Sequence, residues 1–410
     1  MKSTGGTLLV IAAIAFVAPL VTSLAPRLRL PALVIEILLG MAVGPSLLDL
    51  VEVTEPIQVI ADIGLAALIF LAGFEIDPDR VRGRPIKLAA GGWALSLALG
   101  LGTGLLLQST GVITSELYVG LALTTTALGA LLPILRDAGL LPTRFGLHML
   151  AIGSVGEFLP IIAVALLLSG TSPTRSVEAL VLFAVLAAVG LAAALLSNPQ
   201  RLRLALGKTL RSSGQLYIRL AMLVIALLVF VAAELGLDFL LGAFTAGLIY
   251  RLFVTSGAPE HEVEAVESKL EGLFLGYLVP VFFVVTGVTF DLDSLTSSTS
   301  AMAKVPIFLV LLLVVRGMPT LLYRSEFTSS RERLALAFFS ATGLPLIVVI
   351  THLGVEADQM RTNTAAALVG AGMLSVVLFP LIGKSLLDAG EVPASAVGTA
   401  PGDDRLEPAP

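Results

Sequence analysis

Thirteen apolar runs, most of them about 17 to 25 residues long, follow one another along this chain with short charged connections between them. That length is what an α-helix needs to cross about 30 Å of hydrocarbon. Inside lipid every backbone N–H and C=O must be satisfied within the protein, so such an alternation folds as a bundle of membrane helices. The runs centre on residues 6–26, 31–49, 57–74, 86–108, 115–135, 145–169, 177–197, 216–234, 238–254, 271–290, 303–323, 331–352 and 362–387. The first outlasts a secretory leader and no small-residue cleavage pattern follows it, so it counts as a span. The expectation is an all-α membrane protein of about 13 transmembrane helices over 1–388, with a disordered cytoplasmic tail over 389–410 that is rich in Pro, Ala, Gly and Asp.

Composition then removes whole classes of function. With 56% hydrophobic and 13% charged residues the chain is no soluble globule. It has no cysteine, and His148, His261 and His352 lie far apart, so neither thiolate chemistry nor a zinc or haem centre is expected, and no cofactor. No Ser–His pair, aspartate pair or zinc set stands at membrane depth to support proteolysis, so the chain reads as a non-enzyme. The formal net charge of -5 gives no reason to expect a nucleic-acid partner.

Where the charges fall is more informative than their sum. With the N-terminus outside, 19 basic residues lie in cytoplasmic connections, among them Arg80, Arg82, Arg84, Lys87, Arg201, Arg203, Lys208, Arg331 and Arg333. Only four lie outside: Lys2, Arg175, Lys304 and Arg361. Basic residues concentrate on the cytoplasmic side of membrane proteins, which predicts a multi-pass plasma-membrane protein with its N-terminus out and its C-terminus in.

Within the sixth run, Ser154-Val155-Gly156-Glu157-Phe158-Leu159-Pro160 carries what reads as the one acid deep inside a hydrophobic stretch. A charge there costs roughly 2.5 kcal/mol or more, so an intramembrane carboxylate marks a functional site. Pro160 leaves the carbonyl of Gly156 without its helical donor, and Ser154 lies one turn back. Carboxylate, carbonyl and hydroxyl oxygens suit a hard monovalent cation, and a proton competes for the same carboxylate. Glu157 is thus the expected cation/proton site, with Ser154 and Gly156 beside it and Thr125 and Thr126 of the fifth run as further cation/proton-binding residues. Arg316, in Val314-Val315-Arg316-Gly317, is the other deep charge. It stays protonated, so it serves to compensate either Glu157 or the carbonyl ends of a broken helix.

Two further runs look interrupted. The fifth contains Thr124-Thr125-Thr126-Ala127-Leu128-Gly129-Ala130-Leu131-Leu132-Pro133, the twelfth Ser340-Ala341-Thr342-Gly343-Leu344-Pro345. Pro133 and Pro345 would free the carbonyls of Gly129 and Ala341, while Thr125, Thr126 and Thr342 offer hydroxyls to the opened backbone. These two runs are seven apart, and so are the third and tenth, which end in Gly73-Phe74-Glu75-Ile76-Asp77 and Gly287-Val288-Thr289-Phe290-Asp291. An odd offset inverts one half relative to the other, an arrangement found in secondary transporters. The expected plan is repeat one over about 1–170, a linker helix over about 175–198 and repeat two over about 215–388.

Taken together, Leu71-Ala72-Gly73-Phe74-Glu75-Ile76-Asp77, the threonine segment running to Pro133 and Arg136-Asp137, Gly242-Ala243-Phe244-Thr245-Ala246-Gly247, and Pro280-Val281-Phe282-Phe283-Val284-Val285-Thr286-Gly287 resemble the monovalent cation:proton antiporter-2 family. The resemblance runs to about Lys384. It implies a sodium/proton antiporter fold with two crossing broken helices, a separate dimerisation domain, elevator-type alternating access and a homodimer that exchanges Na+ or K+ for H+. Family members carry an Asp-Asp, Asn-Asp or Gln-Asp pair on helix six, where this chain has Gly156-Glu157. With one acid and a permanently charged Arg316, electroneutral exchange is expected. Two alternatives stand beside this. One is the membrane subunit of a ligand-gated potassium efflux system; the chain ends about twenty residues past its last run, so gating would require a separate regulatory subunit. The other is an ion sensor on a transporter scaffold.

Overall fold

Every apolar run coincides with a helix or an interrupted helix in the computed structural model, which describes residues 3–24, 31–76, 83–167, 173–196, 209, 213–256, 259–296 and 299–388. In chain order the helices are α1 Thr4–Leu24, α2 Ala32–Val43, α3 Glu55–Glu75, α4 Arg84–Ser109, α5 Glu116–Ala122, α6 Leu128–Asp137, α7 Arg144–Leu167, α8 Pro173–Leu196 and α9 Leu216–Glu234. They continue with α10 Phe239–Thr255, α11 Glu260–Leu273, α12 Val279–Val288, α13 Leu292–Thr296, α14 Thr299–Gly317, α15 Ser330–Ser340, α16 Pro345–Glu356 and α17 Thr362–Asp388. A π-helical turn joins α11 to α12, and a 3-10 turn, Met318–Ser325, extends α14. No strand occurs among the described residues.

By length and composition, nine of the described helices can cross a membrane, or ten if α15 and α16, bent by 42°, form one span. The shortfall from thirteen arises in part at α2 and α10, which are shorter than a full crossing. The α2 run is cut at Gly44-Pro45, where proline cannot extend the helix. The tail 389–410, Asp77 and the basic residues Arg27, Arg29, Arg80, Arg82, Arg201, Arg203, Lys208 and Arg211 lie outside the described residues.

The surface is apolar and the interior carries the charge. Val181, Leu223 and Phe230 are 57%, 62% and 59% exposed, whereas Glu36, Glu157 and Arg316 are buried. Lys304, read from the sequence as an outer-face charge, lies in α14 and is buried, donating to Asn363 Oδ1 at 3.2 Å and Thr364 Oγ1 at 3.0 Å. This arrangement suits a chain whose solvent is hydrocarbon, since lipid-facing side chains gain nothing from polarity.

The helices pack as two groups. In one, α3 lies along α10 and α2 along α12, with α1 and α9 beside them; in the other, α4, α5, α7, α14, α15 and α17 surround the interrupted helices. Two glycine contacts lock the first group. A Cβ on Gly73 would lie 2.2 Å from Phe244 O, and one on Gly247 would lie 2.0 Å from Phe70 O, so α3 and α10 touch backbone to backbone. The α2/α12 crossing has the same reciprocal form: Gly40 abuts Val284 O at 2.3 Å and Gly287 abuts Ile37 O at 2.1 Å, again measured from a built Cβ. Small residues at such crossings are how membrane helices approach closely enough for dispersion to hold them.

Candidate functional site: a helix crossover around Glu157

Two interruptions meet in the second group. The first spans residues 123–127, between α5 and α6, and the second spans 341–344, between α15 and α16. Thr124 and Thr125 end α5 by turning their hydroxyls back onto Leu121 O at 2.8 Å and Ala122 O at 2.9 Å. The opened backbone is then satisfied across the crossover: Ala127 N–H donates to Thr342 O at 2.8 Å, and Thr126 Oγ1 donates to Ser340 O at 2.6 Å. On the far side Gly343 N–H donates to Ser375 Oγ of α17 at 3.1 Å.

The break in the fifth run therefore lies before Leu128, not at the proline. Gly129 and Pro133 sit inside α6, and the threonine cluster ends the preceding helix. In the twelfth run Pro345 is the first residue of α16, a position where its missing N–H goes unneeded, and Ala341, Thr342 and Gly343 lie in the interruption.

Pro160 acts one helix away. Its ring removes the N–H that would serve Gly156, and the Gly156 carbonyl instead accepts from Thr126 N–H at 3.0 Å. The proline in α7 thus supplies an acceptor for the gap between α5 and α6.

Arg316 occupies the centre of this crossing. Its guanidinium donates from Nη2 and Nε to Thr126 Oγ1 at 2.6 and 3.0 Å, from Nε to Ser340 O at 3.4 Å, and from Nη1 to Ser96 Oγ at 3.2 Å. Among the described residues it forms no ion pair with Glu157. Of the two roles expected for it, the geometry is that of a cation at the carbonyl end of a broken helix, here α15, where the helix dipole is negative.

Glu157 faces the opposite kind of helix end. It is 3% exposed. The backbone amide of Leu128, at the start of α6, lies close to its carboxyl group, while Oε2 has no partner among the described residues. A helix N-terminus favours negative charge. Glu157 lines a cavity of about 730 Å³ between the two helix groups, with Leu68, Val279 and Phe283 on one wall and Gly129, Ala130, Pro345 and Val376 on the other. Ser154, although three residues away, lines a separate cavity of about 580 Å³ with Glu75, Glu264, Glu267 and Glu271. Both cavities flank α6: Ala130 and Ile134 border the first, Leu132 and Arg136 the second. Thr125 points its hydroxyl at Ala122 O, and neither Thr125 nor Thr126 lines the Glu157 cavity.

One acid escaped the sequence reading. Glu36 of α2 is 4% exposed and lines the cavity that Glu157 lines, so Glu157 is not the only carboxylate at depth. The signal was present in Leu33-Val34-Ile35-Glu36-Ile37-Leu38, an acid flanked by apolar residues on both sides.

The transmembrane profile of the sodium/hydrogen exchangers matches residues 12–389. The chain belongs to the sodium/hydrogen exchanger family. Among its relatives, YjbQ of Bacillus subtilis (strain 168), which carries a provisional Na(+)/H(+) antiporter designation, is 26% identical over 408 residues, covering 94% of the chain and 64% of YjbQ. The glutathione-regulated potassium-efflux system protein KefC of Escherichia coli O45:K1 (strain S88) is 26% identical over 376 residues, 89% of the chain and 58% of KefC. The chain thus spans about three fifths of the length of these relatives. The sodium proton antiporter MjNhaP1 from Methanocaldococcus jannaschii, solved at pH 8, superposes with a TM-score of 0.64 over 92% of the chain and 96% of MjNhaP1, at 16% identity, and shares the fold.

Proposed function

We propose that this exchanger is a secondary active transporter, not an enzyme, that swaps a monovalent cation, Na+ or K+, for protons by alternating access, with Glu157 as the shared site. The observation that carries the reading is the environment of Glu157: a buried carboxylate with one oxygen unpartnered, bordering a cavity between two helix groups. Binding either a proton or a cation neutralises the carboxylate and lowers the cost of carrying it across the midplane. Arg316, committed to Thr126, Ser340 and Ser96, holds the crossover without competing for Glu157. One titrating carrier makes the exchange one-for-one and electroneutral.

The reciprocal clasps support an inverted repeat, because the third and ninth apolar runs (α3 and α10) pack as the tenth and second (α12 and α2) do, each member displaced by seven. A homodimer, a cytoplasmic C-terminus, and repeats over about 1–170 and 215–388 complete this reading. The KefC relatives favour K+ as the cation, and with it a second reading in which the chain is the membrane subunit of a gated potassium efflux system served by a separate regulatory subunit.

The test is cation-dependent proton efflux in proteoliposomes with Na+, K+ and Li+, wild type beside Glu157→Gln. Exchange that disappears in the variant supports the reading and names the cation. Exchange that survives removes Glu157 as the carrier, and a wild type inert with every cation points to a sensor.

A further inference from the structure

Two buried carboxylates, not one, line the 730 Å³ cavity, and they stand on different parts of the molecule. Glu157 is on α7, in the group that contains the crossover; Glu36 is on α2, in the group locked by glycine contacts. Residues on either side of the α2 contact frame Glu36 closely: Ile37 O meets Gly287 and Gly40 meets Val284 O. Hence α2 cannot rotate or slide on α12 without a backbone collision, and the position of Glu36 is fixed in that group. Glu36 is 4% exposed, yet it takes no hydrogen bond or ion pair from the described residues. A carboxylate in such surroundings that turns towards a cavity is served by what enters the cavity.

We propose that Glu36 is a stationary cation-binding group for the exchanger: a monovalent cation entering the cavity is held by the Glu36 carboxylate and passed from there to Glu157. This rests on the proposed exchange at Glu157 and adds a residue to it. The two carboxylates differ in role because they differ in support. Glu157 stands on α7 beside the interrupted helices, whereas Glu36 stays with α12. Lys384 and Asp388, near the C-terminal end of α17, border the same cavity, so a cation arriving along that wall meets Glu36 and Glu157 as its buried oxygen donors. Two like charges facing one low-dielectric cavity also raise the local concentration of cations.

The experiment is initial-rate exchange in proteoliposomes over a cation titration, with wild type, Glu36→Gln, Glu36→Asp and Glu157→Gln, alongside thermal melting of each detergent-solubilised protein with and without the cation. Glu36→Gln is expected to raise the half-saturating cation concentration about tenfold while the maximal rate stays within a few-fold, with Glu36→Asp recovering most of the affinity. Cation-induced stabilisation on melting should shrink in Glu36→Gln. An unchanged half-saturating concentration in Glu36→Gln overturns the proposal. So does a variant that loses exchange but keeps the full cation-induced stabilisation, because that assigns Glu36 a structural role. If the wild type fails to exchange at all, the reading of Glu157 fails instead, and the melting comparison still decides whether Glu36 binds the cation.

Discussion

Gly156 leaves the space that Arg316 fills: a Cβ built on Gly156 would lie 2.5 Å from Arg316 Nη2 and 2.8 Å from Thr126 Oγ1. The missing side chain at the first position of the expected acidic pair is thus matched by a guanidinium at the same spot. Gly156→Ala is expected to push Arg316 off Thr126 and to destabilise the protein by about 1–3 kcal/mol, the usual cost of overpacking. A lowered melting temperature in detergent with reduced exchange checks it, and a variant that melts like wild type would show that the guanidinium has room to spare.

Thr126 is the common partner of Arg316 and Ser340, so its hydroxyl counts for more than one bond. Thr126→Val keeps the shape and removes the hydroxyl, leaving Arg316 short of an acceptor at a cost of about 1–3 kcal/mol. Thr126→Ser should restore most of the stability. If serine fails where threonine succeeds, the methyl group and not the hydrogen bond is the stabilising part.

Transport by a single titrating carrier predicts no current. Proteoliposomes held under opposed cation and proton gradients should exchange without a current on a solid-supported membrane. A current that reverses with the gradients would mean that a second proton, with Glu36 the foremost candidate, moves in each cycle.

A charge cluster outside the membrane sets an acid limit on stability. Glu326 pairs with Arg84 and Arg144 at 2.5 and 2.6 Å, and His148 Nε2 lies 3.5 Å away. The hydrogen bond from Arg144 holds its carboxyl below the usual range; burial opposes this, and the charges of Arg84 and Arg144 add to the lowering. A carboxylate whose pKa is depressed on folding stabilises above its unfolded value and loses that contribution as pH falls through the folded one. Glu326→Gln should therefore melt below wild type at pH 7 and converge with it well below pH 4.5. A constant difference across that range would exclude the linkage.

The bundle itself was legible because the length and apolarity of each run dictate a helix, and no tertiary contact is needed to override them. Glu157 was legible for the same reason, as an acid where lipid forbids one. Glu36 was passed over although it obeys the same rule, because it stands near the start of its run, where an acid can be read as interfacial. The break before Leu128 was misplaced since proline was weighted above threonine; two hydroxyls returning to Leu121 and Ala122 end a helix as surely as a ring does. Ser154 was grouped with Glu157 by spacing, yet the two, about one turn apart on α7, border different cavities because α6 lies between those cavities. No pattern in the sequence could reveal the Gly156 to Arg316 fit, which joins positions far apart along the chain.

The glycine clasps also govern when the protein can be finished. Ile37 and Gly40 have no partner until the ribosome has added Val284 and Gly287, about 250 residues later, which at roughly 5–20 residues per second is a delay of about 12–50 s. For that interval α2, with Glu36 on it, resides in the bilayer without the helix it was shaped to meet. Nascent chains stalled before α12 should for this reason be open to degradation, while chains stalled just after it should resist.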